Sequence, residues 1–228
     1  MWSFYVNRGQ AISSIGIRDK SNCIMEFFPA NEAYKMVYSN GFRTFIKIKS
    51  NEEEFVFEPF SMTTNENIRR IIKIKNNELR LIEINSKLNL NTEITYFTIP
   101  NEEFSALGRK IEVVNTSDVK TEIEILDGLA AILPYGSDNT TYKAIGNTLR
   151  SYMQGEIKED GTAVYKLRSS TEDTTQVGTV ENSYFYVAFD ENEDILNPIV
   201  DSKKIFGYDT SLKEPVEFKN NIIGTLLN

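Results

Sequence analysis

The sequence predicts an all-β protein, a large antiparallel β-sandwich with one short helix. Three observations carry that expectation. Apolar residues recur with a period of two through most of the chain. β-Branched and aromatic side chains are dense in those runs, as a pleated, half-buried surface favours. Short polar breaks separate the runs, and only one stretch falls at helical spacing. Strands at this spacing, without helices between them, pack as sheets face to face.

Residues 2–6 read as the first strand. Residues 12–17 and 23–28 read as two more, with Arg18-Asp19-Lys20 as the polar tip between them. Phe42, Thr44, Ile46 and Ile48 alternate with Arg43, Phe45, Lys47 and Lys49, and Glu52-Glu53-Glu54 forms the next tip. Ile72 and Ile74 alternate with Lys73 and Lys75, and Leu79, Leu81 and Glu83 with Arg80, Ile82 and Ile84. Ile94, Tyr96 and Thr98 alternate with Thr95, Phe97 and Ile99; Ile111, Val113, Ile123 and Ile125 continue the pattern. Asp127-Gly128 reads as a tight turn before an apolar run that breaks at Pro134-Tyr135-Gly136. Over residues 141–154, Ala144, Ile145, Leu149, Tyr152 and Met153 fall near helical spacing. That predicts the helix, started by Asp138 or Asn139 and ended by Gly155. Residues 163–168 and 184–189 return to strand.

A chain of 228 residues makes one large domain or two small ones, and sandwiches of this length are commonly one. The expectation is a single domain over residues 1–228. The net charge of −8 argues against nucleic acid or an anionic membrane as partner. The absence of histidine excludes a His general base, a His-dependent triad and a His-ligated metal within the chain. One cysteine, Cys23, leaves no internal disulfide and reads as a small buried residue. No apolar run approaches a membrane span and no signal peptide is visible, so the expected location is the cytoplasm.

Candidate site residues are few: Trp2, Arg18, Asp19, Lys20 and Arg43 are the five possible contacts to a sugar or a neighbouring domain. Arg18, Asp19 and Lys20 read either as a hairpin tip or as a contact to a sugar or a neighbouring domain. Arg43 and the pair Arg69-Arg70 could meet phosphate, but no Gly-rich nest accompanies them, which favours sheet-surface charge. Trp2, with Phe4 or Tyr5, reads as an exposed platform for a pyranose ring or as packing at a domain edge. Glu122 and Glu124 read as a solvated strand face, with Asp127 at its turn. Asp190, Glu191, Glu193 and Asp194 lack the residue order of a calcium loop, and no metal site is expected.

Several segments carry a family resemblance. They are Arg8-Gly9-Gln10, the block IGIRDKSNCIMEFFPANEA over residues 15–33, Gly41-Phe42-Arg43-Thr44-Phe45, Tyr96-Phe97-Thr98-Ile99-Pro100-Asn101-Glu102 and the run from Leu126 to Gly136. Together they resemble the non-catalytic β-sandwich domain of inverting glycoside phosphorylases of the cellobiose and cellodextrin phosphorylase family, with 1,2-β-oligoglucan phosphorylases nearest in look. The resemblance implies a supersandwich of the galactose-mutarotase-like type. It implies an accessory role beside a helical-barrel catalytic domain, in a glycosyltransferase that phosphorolyses β-linked gluco-oligosaccharides. Phosphate is then a co-substrate of the parent enzyme and no cofactor is expected. The acid and the phosphate site lie in the barrel, so no catalytic residue carries over, and the domain alone is expected to be silent. A homodimer and contact with a β-gluco-oligosaccharide are implied as partners, and residues 209–228 as the start of the linker to the barrel. Two other readings stay open: a stand-alone carbohydrate-binding module, and a purely structural interface domain.

Overall fold

A computed structural model describes residues 1–6, 10–50, 53–61, 65–172 and 175–227. The chain opens with β1 (Trp2–Val6) and β2 (Gln10–Ser14), a hairpin. Two single-turn helices follow, α1 (Ala30–Ala33) and α2 (Val37–Asn40). Then come β3 (Phe42–Ser50), β4 (Glu53–Phe57), β5 (Ile68–Ile74), β6 (Glu78–Asn85), β7 (Leu90–Thr98), β8 (Leu107–Asn115) and β9 (Glu122–Leu129). Helix α3 (Asn139–Ser151) precedes β10 (Met153–Ile157), β11 (Ala163–Leu167) and β12 (Tyr184–Tyr186). The tail holds α4 (Lys203–Phe206), α5 (Val216–Asn220) and α6 (Ile223–Leu226). No helix is long and apolar enough to cross a membrane among the described residues.

The fold is all-β and antiparallel, as expected. The two larger sheets have the orders β4-β3-β9 and β5-β6-β7-β8. Alternation in β6 buries Leu79, Leu81, Glu83 and Asn85 and leaves Arg80, Ile82 and Ile84 half-exposed. Leu79, Leu81, Ile94 and Tyr96 form one cluster with Phe42 of β3 packed against it, and Ile46, Ile48 and Leu90 form another with Val113 and Ile123. These clusters lie between the two sheets and make the sandwich core. A smaller sheet, β10-β11-β12, packs with α3 around Cys23, Leu133, Tyr142, Leu149 and Leu167. The helix starts where expected, with Asp138 accepting from the Thr141 amide at 2.8 Å, but ends earlier, because Met153 is already in strand.

Strand β3 is buried on both faces. Phe42, Thr44, Ile46 and Ile48 face the core, and the tail covers the other side. Phe206, Phe218 and Leu226 pack with Phe45 there, joined by Val56, Leu126 and Ile223. Each fully buried apolar side chain of this kind contributes about 2 kcal/mol. The tail segment at residues 222–227 is therefore folded back on the sandwich, although Ile222 and Leu227 keep exposed surface.

Three local expectations are corrected. Asp127 and Gly128 do not make a turn: both lie in β9, opposite Thr44 and Arg43 of β3. Cross-strand pairing overrode the local turn preference of Asp-Gly. Residues 23–28 are not a strand beyond the single bridge of Cys23 to Gly16. Glu124 is not on a solvated face, because it pairs with Lys47 at 3.2 Å and Lys49 at 3.4 Å beneath the tail. Arg8, Gly9, Glu52 and Asn228 lie outside the described residues.

Candidate functional site

The polar centre of the molecule lies between the sheets. Arg109 of β8 sits opposite Tyr96 of β7, and Asp127 of β9 sits opposite Thr44 of β3. The two registers place a guanidinium and a carboxylate at inward positions of facing sheets. Arg109 Nη1 bonds to Asp127 Oδ2, and Arg109 Nη2 donates to Thr44 Oγ1 at 3.0 Å. The Thr44 hydroxyl donates to Asp127 Oδ1 at 2.6 Å. The guanidinium lies over the rings of Phe42 and Tyr96, at 5.2 and 5.3 Å. Burial alone would push the Arg109 pKa down, but Asp127 and Tyr96 more than offset it, so the group stays firmly charged. Burial and the Asp127 charge push the Tyr186 phenol up to about 12.

A second pair lies beside the first. Arg43 Nε donates to Glu58 Oε1 at 2.7 Å and Nη2 to Glu58 Oε2 at 3.0 Å, a bidentate fork. Arg43 Nη2 also donates to the Lys213 carbonyl at 2.8 Å, and Nη1 bonds to the Leu212 carbonyl. Its guanidinium lies 4.8 Å from the Tyr38 ring, 4.6 Å from Phe45 and 5.6 Å from Phe206. Arg43 is thus committed to the tail and to Glu58 and is not the sheet-surface charge expected from the sequence, because the tail buries it. A crevice between the pairs is lined by Phe42, Thr44, Glu58, Phe60, Tyr96 and Arg109. It has room of about 20 Å³, enough for one water and far below the roughly 300 Å³ of a small-molecule pocket.

The other predicted residues gather elsewhere. Trp2 packs edge-on to Phe27, with ring centroids 5.5 Å apart, and its ring lies against Gly16. The carbonyl of Asp19 touches the same glycine, so Trp2 and the Arg18-Asp19-Lys20 tip are neighbours. Trp2 is half-buried; Arg18, Asp19 and Lys20 are exposed. Asp19 accepts from the amides of Ser21 and Asn22, at 2.9 and 3.2 Å, and those bonds hold its carboxyl below the usual range. The structure therefore brings together four of the five and sets Arg43 apart.

One carboxylate has the opposite tendency. Burial raises Glu26, against the pull of Arg150 and Lys143 on α3. Glycoside hydrolysis needs two carboxylates set across the sugar, and Glu26 faces cations instead. No cluster of three His, Cys, Asp or Glu side chains suited to a metal occurs among the described residues. The Asp190 loop is organised by its own backbone, the carboxylate accepting from the amides of Asn192 and Asp194.

Sequence reasoning missed Arg109, Asp127 as an inward group, Glu58 and the burial of Lys47. The signal for two of them was present: Arg109 shares the parity of Leu107 and Ile111, and Asp127 that of Ile123. What these features define is an antiparallel sandwich domain with a closed, charge-neutral centre. No family model matches the chain, and no curated protein matches its sequence.

Proposed function

We propose that this chain is the non-catalytic sandwich domain of a cytoplasmic glycosyltransferase that phosphorolyses β-linked gluco-oligosaccharides. It serves there as an accessory domain that docks beside a helical catalytic domain and takes part in a homodimer. The observation that carries the accessory reading is the closure of the polar centre. Arg43 and Arg109 each have their own carboxylate, and the crevice between them has room for no more than about one water. The Arg109–Asp127 pair ties the two sheets together, the Arg43–Glu58 pair anchors the tail, and neither carboxylate is free to act on a sugar. The exposed aromatics favour an interface over a sugar platform. Phe104 and Phe185 meet edge to face at 5.6 Å, while the exposed Tyr34, Tyr152, Phe189 and Tyr208 lie outside the strands β1–β12, so they do not form a row along one strand.

The test is direct. Incubated with phosphate and β-linked gluco-oligosaccharides, the isolated chain is expected to release no glucose 1-phosphate, and calorimetry to find no sugar binding tighter than millimolar. Reproducible turnover would make the chain an enzyme in its own right. Micromolar sugar binding by a strict monomer would make it a carbohydrate-binding module.

A further inference from the structure

The outer face of the β4-β3-β9 sheet is a built docking face, occupied by the chain's own tail. Two buried cations on β3 supply the polar anchors. Arg43 holds the carbonyls of Leu212 and Lys213, and Lys47 donates to the Asn221 carbonyl at 2.5 Å. Lys47 is fully buried, lies 4.7 Å from the Phe218 ring centroid, and is balanced by Glu124 and Glu54. All three polar contacts to the tail go to main-chain oxygens.

The tail is organised by itself. Asp209 accepts from the amides of Ser211, Lys213 and Glu214, fixing the loop that presents the Leu212 and Lys213 carbonyls. Glu217 packs against Gly207, whose φ of 56° leaves no comfortable place for a Cβ. Asn221 donates to Glu217, and α4 packs on α5. Yet its helices are single turns, which do not persist in water without a surface to lie on. The unit can leave the face whole but must find another.

Residues 187–202, which join β12 to α4, contain no helix or strand; their own pairing is one bridge, Phe189 to Ile195. Ile199 packs in the tail's own cluster and moves with it, so the connector is residues 187–198, which extend to roughly 40 Å, well beyond the ~17 Å radius of gyration expected for a compact chain of this size. From these observations we infer that the tail docks in trans as well as in cis: a second copy of this chain is the alternative occupant of the face, and the product is a swapped dimer.

Equal amounts of unlabelled and 15N-labelled full-length chain test this. They are mixed, partly unfolded in urea, returned to buffer at high concentration and separated by size. Lys219 on α5 and Lys49 on β3 lie on either side of the interface, so a lysine cross-linker reports who holds whose tail. In the dimer fraction about half of the Lys219–Lys49 cross-links should carry one isotope on each side, and in the monomer fraction none. A chain that remains monomeric after this treatment, or dimers whose cross-links join only like isotopes, would overturn the inference.

Discussion

Arg43 shows how a single side chain decides what a sheet face is for. With Phe45 and Lys47 it forms the half of β3 that local alternation assigns to solvent, and it is instead nearly inaccessible, its side chain 3 % exposed. Removing one partner of a buried pair leaves the other charged and unmatched, which costs about 3 kcal/mol or more. Arg43→Met should therefore lower the urea midpoint strongly. Adding Glu58→Met should cost less than the sum of the two single changes, because the second removes the orphan that the first creates. Gly128 is a second residue-scale case. It lies inside β9 with φ at 152°, and a Cβ there meets nothing closer than the Tyr186 hydroxyl at 3.8 Å. Gly128→Ala should cost about 1 kcal/mol, from backbone strain alone. An unchanged midpoint would mean that the strand relaxes to an ordinary extended conformation.

At the scale of elements, most strands and the longer helix were legible in the sequence, because period two and helical spacing are local properties; residues 23–28 are not a strand, β10 begins at Met153 where helix was expected, and the strand expected over 184–189 ends at Tyr186. The face alternation of β3 was legible too. What lies over each face was not. The groups that bury Arg43 and Lys47 come from residues 212, 213 and 221, some 170 positions along the chain, and no local pattern encodes them. Asp127-Gly128 misled for a related reason: turn preference is local, and pairing with β3 is not. The inward parity of Arg109 and Asp127 was visible, but parity alone did not say that the two would meet across the sheets. The tail loop gives an element-scale prediction. Its backbone amides and the Ser211 hydroxyl pull the Asp209 carboxyl down to about 2, from an ordinary value of 3.8. A depressed folded-state pKa stabilises fully above the ordinary value, and that contribution is lost as pH falls through the folded one. Urea midpoints should thus fall as pH drops from about 4 towards 2. Asp209→Asn should make that acid limb shallower. An identical limb in both proteins would show that the carboxylate does not hold the loop.

The whole molecule is a sandwich with a third layer of tail on one side and a small sheet with α3 attached. Between that small sheet and the β1–β2 region sits Cys23, 2 % exposed. Its thiol donates to Asn139 Oδ1 at 3.5 Å, and its carbonyl accepts from the Tyr184 hydroxyl at 3.2 Å. Burial raises its pKa, so the closed state offers little thiolate to a reagent. The one cysteine of the chain is therefore a clock wound by the fold itself. A thiol reagent should label it only as often as α3 and β12 part from the turn above it, at a rate that rises with urea before global unfolding begins. Tail variants, which loosen a different apolar cluster, should leave that rate nearly unchanged. If they quicken it in step with their loss of stability, the two clusters open as one body and the thiol times only complete unfolding.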